Sequence, residues 1–83
     1  MDQTLGFLRE TVSNYTDEQQ LAISIYKKIE SKEFSNEENF VRSLTEEEVS
    51  FLNNILPDEI NYAMEEQDYK RVHELNDVYE LLL

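Results

Sequence analysis

The chain has one histidine, His73, and it opens the string His73-Glu74-Leu75-Asn76-Asp77, which begins like the helix of a zinc hydrolase. In such a helix two histidines one turn apart hold the metal, and a glutamate between them acts as general base. Here Asp77 stands where the second histidine is needed, so the ligand pair is incomplete. A di-iron bundle fails as well, because it needs Glu-x-x-His motifs and the residue three before His73 is Lys70. On a helical wheel His73 falls on the polar side, a turn from Tyr69 and from Asp77, which predicts a solvent-facing side chain.

Carboxylates are the other reactive groups present in quantity. A calcium loop of the EF-hand kind requires oxygen ligands at alternating positions, a mid-loop glycine and a non-helical turn. Gly6 is the chain's one glycine, and the acids fall on segments that read as helix. The pair Asp58 and Glu59 could serve glycoside hydrolysis only inside a cleft that raises one pKa by burial. A helical domain of 83 residues has little volume for such a cleft. There is no cysteine, and no glycine-rich turn to present a serine or cradle a phosphate. The expectation is a protein that is not an enzyme and uses no cofactor or metal.

The elements that carry these groups read as helices throughout. At Thr16 with Gln19, Ser35 with Glu38, and Thr45 with Glu48 a hydroxyl stands three residues before Glu or Gln, the reciprocal capping arrangement that starts a helix. Apolar residues at helical spacing predict segments over about 3–13, 17–32, 36–43 and 46–56. Pro57 is expected to end the fourth segment and begin the next, since the residue before a proline is pushed out of helical geometry. Over 58–82 two apolar groups flank Glu65-Glu66-Gln67-Asp68, which predicts a break near 66–68, with Asp68 as N-cap of a last helix. The span 58–82 reads either as one helix or as two. Residues 30–36 read as the flexible joint. No alternating run of β-branched residues suggests a strand. The fold expected is all-α: one domain over 1–83, a small compact bundle of four to six short helices with a C-terminal helical hairpin.

Asp68-Tyr69-Lys70-Arg71-Val72 is similar to the turn inside tetratricopeptide repeats, but the 34-residue period of those repeats is absent. The scarcity of Gly, Ala and Trp beside abundant Glu, Asn and Ile resembles the usage of an AT-rich bacterium or phage. The opening Met1-Asp2-Gln3-Thr4 has no basic and apolar leader, and no stretch reaches the length of a membrane span, so the expected compartment is the cytoplasm.

Charge is the strongest feature. Nineteen acids against seven bases give a net charge of −12. Residues 1–44 hold eight acids and five bases, whereas 45–83 hold eleven and two. Such a field repels nucleic acid and anionic membrane and draws in basic protein surfaces. A solvated acidic surface that only maintains solubility is the plain alternative.

The sequence therefore predicts an acidic interaction module, a regulator that occupies a basic surface of a larger protein, for which a transcription or replication factor is the natural kind of target. The expected charged contacts are Glu47, Asp58, Glu59, Glu65, Glu66 and Asp68, with Tyr62, Tyr69 and Leu81 as anchors. Phe7 and Ile23 fall outside their helical stripes and are expected to face a partner. The competing reading is a structural homodimer joined through the leucines at 81–83.

Overall fold

The computed structural model describes residues 5–31 and 34–82. Five helices follow one another: α1 (Gly6–Ser13), α2 (Gln20–Ser31), α3 (Glu37–Arg42), α4 (Glu46–Glu65) and α5 (Tyr69–Leu82). Among the described residues there is no strand. Four of the helices contribute residues spaced three or four apart to one core, and α3 contributes a single side chain. Leu8 and Val12 come from α1, Ala22 and Ile25 from α2, Phe40 from α3, Leu52 and Leu56 from α4, and Leu75, Val78 and Leu82 from α5. Burying side chains of this kind supplies roughly 1.5–3 kcal/mol each, which must offset the ordering of a short chain.

The helix starts are more varied than the capping pattern predicts. At Thr45 both reciprocal bonds form: its hydroxyl accepts from the Glu48 amide, and the Glu48 carboxylate accepts from the Thr45 amide at 2.8 Å. Thr16 caps nothing. Its hydroxyl donates to the Ser13 carbonyl at 2.9 Å, residues 14–18 form turns, and α2 begins only at Gln20. Ser35 is displaced by its neighbour, because Asn36 is the N-cap of α3 and accepts the Asn39 amide at 2.9 Å. Asparagine at least equals serine in this role, so the swap is chemically even.

Pro57 does not divide the chain. It lies inside α4, which runs unbroken for 20 residues. Proline in a helix interior removes one backbone bond and costs about 3 kcal/mol. Leu52, Leu56 and Ala63 are all buried along one line of this helix, and keeping that line continuous outweighs the local cost. The boundary expected at Pro57 is therefore absent, and the C-terminal hairpin is formed by α4 with α5.

The break at 66–68 is where the sequence places it. Gln67 takes a left-handed φ of 60°, its amide donates to the Met64 carbonyl, and the Asp68 amide donates to Ala63. This pair of bonds covers the last carbonyls of α4. Asp68 then caps α5 by accepting the Arg71 amide at 3.3 Å. In the expected joint over 30–36, Glu30 and Ser31 belong to α2, and Phe34 packs edge-on against Phe40 at 5.4 Å between ring centres. Residues 32–33, like positions 3–4 of the first predicted segment, lie outside the described residues.

Candidate functional site: an acidic helix face and two inward carboxylates

The solvent side of α4 carries the candidate contacts. An α-helix turns about 100° per residue, so Glu47, Asp58 and Glu65 lie within about 20° of a single line. All three are exposed, as is Tyr62 beside them. No Lys or Arg occurs anywhere on this helix. Glu66, the C-cap of α4, is also exposed but lies about 100° around the helix from that line.

The remaining candidates are placed elsewhere or already engaged. Glu59 is half-buried and accepts the Tyr15 hydroxyl at 2.6 Å, which ties the α1–α2 turn to α4. Burial, and then that bond, raise the Tyr15 pKa. The Tyr15 ring also meets Phe51 edge-on at 5.9 Å. Asp68 is half-buried as the α5 cap and pairs with the Arg71 side chain at 3.3 Å. Tyr69, 61% exposed, sits on the first turn of α5, beside the recess that Phe7 and Glu74 line. Leu81 is 43% exposed near the end of α5, while Leu82 is buried and Leu83 lies outside the described residues.

Of the two residues expected to point away from the core, Ile23 is exposed and Phe7 is not free. The Phe7 ring packs against the core, with the Arg71 guanidinium 5.0 Å from its centre. Arg71 satisfies Phe7 by a cation–π contact, an outlet that a single-helix wheel cannot show. His73 is exposed, with its Nε2 3.6 Å from Asp77. Among the described residues no group of three His, Asp or Glu side chains could hold a metal ion.

Two acids that the sequence reading left in minor roles turn inward. Glu48 is buried: it pairs with Lys28 Nζ at 2.6 Å and accepts the Ser24 hydroxyl at 2.6 Å, besides the Thr45 amide. Lys28 also donates to the Ser43 carbonyl at 2.7 Å, so one ion pair joins α2, the α3 end and α4. Burial alone would push the Glu48 pKa up, but the Lys28 and Ser24 bonds, the Thr45 amide and the lysine charge together hold it below its ordinary value. Glu74, on α5, accepts the backbone amides of Phe7 at 2.9 Å and Leu8 at 3.1 Å. It thereby caps α1, whose own N-cap residue, Leu5, offers no side-chain bond. Both acids could have been found from spacing: Glu48 lies one turn before Leu52, and Glu74 one turn before Val78, on stripes that are otherwise buried.

These features define an all-α bundle with an anionic outer helix and acid-stitched junctions, in which no helix of the described residues is long and apolar enough to cross a membrane. The chain belongs to the family described as Minor curli fiber component A, whose model matches residues 1–83. It is 54% identical over 83 residues to the Sigma-G-dependent sporulation-specific SASP protein of Bacillus subtilis (strain 168), with 100% of each chain covered. No solved structure matches it.

Proposed function

We propose that this chain is a non-catalytic, cytoplasmic interaction protein used in sporulation, and that it binds a basic surface of a larger protein through the solvent face of α4. The observation that carries the reading is the line of Glu47, Asp58 and Glu65 on a helix without a single Lys or Arg. The field would speed encounter, and Tyr62 would supply the apolar contact within it. The link to sporulation comes from the name of the Bacillus subtilis relative, which matches this chain from end to end. A regulator of a transcription or replication factor is the finer form of the proposal, since such proteins present basic surfaces.

The test uses the triple variant Glu47→Lys, Asp58→Lys, Glu65→Lys as bait beside the wild type in extracts of sporulating Bacillus subtilis cells. The expected result is at least about a tenfold loss of the main captured protein at low salt, with an unchanged melting temperature. Equal capture by both baits would refute the reading.

Self-association is the competing account, and the exposure of Leu81 near the chain end favours it. The family description, which names a fiber component, is compatible with assembly of copies. Light scattering over a concentration series decides: a dimer that disappears with Leu81→Ser would replace the charge-led account.

A further inference from the structure

We propose that Glu74 is a proton-controlled clasp: its carboxyl group, carried on α5, sets how firmly α1 stays docked on the bundle. The geometry is specific to this helix. Among the described residues no other side chain caps α1, and its leading amides, at Phe7 and Leu8, converge on a single oxygen, Glu74 Oε2, from a residue 66 or 67 positions away. A helix of eight residues is too short to persist by itself, so its docking depends on such contacts and on the burial of Leu8 and Val12.

The clasp is open to solvent protons. An open recess of about 470 Å³, walled by Phe7 and Tyr69, leads to Glu74. The charged groups that face it are Glu37 from α3 and Lys70, His73 and Asp77 from α5. Arg71 approaches from the same helix and is shared with Asp68, with the Thr11 hydroxyl and, at 3.6 Å, with Glu10 of α1. No cation pairs directly with Glu74 among the described residues, in contrast to Glu48.

Burial pushes the Glu74 pKa up to about 7, against the pull of the Leu8 and Phe7 amides, with Glu37 adding to the rise and Arg71 opposing it. The docked form therefore holds the proton more tightly than the released form. Its contribution to docking is complete below the ordinary carboxyl value of 4.5, erodes as pH climbs, and is gone once pH passes about 7. Release of α1 would uncover the core side chains that Leu8 and Val12 now cover.

The experiment is a pH titration of the full chain by NMR, following the Glu74 carboxyl carbon and the exchange of the α1 amides, corrected for intrinsic rates. The expected midpoint for Glu74 is near 7. α1 opening should increase by roughly tenfold between about pH 5 and 8, a figure reduced from the full shift because the site is partly hydrated. In Glu74→Gln, which still offers an acceptor oxygen, α1 exchange should be flat with pH while α4 exchange follows the wild type. A Glu74 midpoint at the ordinary value, or a wild-type pH response in Glu74→Gln, would overturn the proposal. Should the variant fail to fold, the wild-type carboxyl midpoint decides alone.

Discussion

Glu48 and Glu74 are both acids set one turn ahead of a buried residue on an apolar stripe, and both accept backbone amides at a helix start. Their pKa values move in opposite directions. At the α2–α4 junction a lysine and a hydroxyl complete the shell of Glu48, so the ion is better accommodated than in water. At the α1–α5 junction amides alone meet Glu74, and the nearest guanidinium is committed to other groups. Burial sets the cost of a charge in either place, but the partner decides whether the cost is met. One junction is thus built to stay closed at neutral pH, and the other is poised.

Removing the lysine should make the two junctions alike. Lys28→Met leaves Glu48 enclosed without its counter-charge, and a loss of about 2–3 kcal/mol is expected at neutral pH by urea denaturation, the lysine's partial exposure keeping it below the full buried-pair value. The Glu48 pKa should then rise above its ordinary value. An unchanged midpoint would mean that water replaces the lysine at no cost.

A milder change weakens the same shell. Ser24→Ala deletes one bond to a charged acceptor and should cost about 1–2 kcal/mol. The sign of its pH dependence is fixed by the depressed Glu48 pKa. The stability that Glu48 contributes is present above its ordinary value and is lost as pH falls through the lower folded value, so the Ser24→Ala deficit should shrink in acid. A constant deficit from pH 7 to 3 would separate Ser24 from the carboxylate.

The smallest expected effect belongs to a control that touches neither acid. Gln67→Gly relieves the left-handed backbone between α4 and α5 and should add about 0.5–1 kcal/mol. Thermal unfolding at pH 5 and pH 8 should show the same gain at both. A gain that varied with pH would show that the turn communicates with Glu74.

The outline of the fold was legible because apolar spacing at Leu8–Val12, Leu52–Leu56 and Leu75–Val78 reports burial directly, and because Gln67-Asp68 combines a poor helix interior with a good cap. Thr45 was legible for the same local reason. Pro57 reads as a boundary because its local cost is visible in sequence, whereas the continuous burial of Leu52, Leu56 and Ala63 shows only in the packed bundle. Thr16 caps nothing because its hydroxyl turns back to the Ser13 carbonyl, and Ser35 yields the α3 cap to Asn36. For the outer surface, the sequence supplied the acids but not their sorting. Glu59 and Asp68 are engaged by Tyr15 and Arg71, and Phe7 is covered by Arg71, contacts that span distant parts of the chain. Glu74 was hidden by its neighbourhood: beside His73 it invites a metal-site interpretation, while its actual partners lie 66 and 67 residues earlier.

The unbroken passage of α4 through Pro57 has a mechanical consequence. At about 1.5 Å per residue the helix is about 30 Å long, the same as the longest dimension of the molecule, 30 Å. It is a single strut, and the outermost acids of its line, Glu47 and Glu65, are spaced about 27 Å apart along it. A loose cationic tail would have to surrender its freedom to meet both ends at once, whereas a folded surface with cations at that interval could engage them without rearranging.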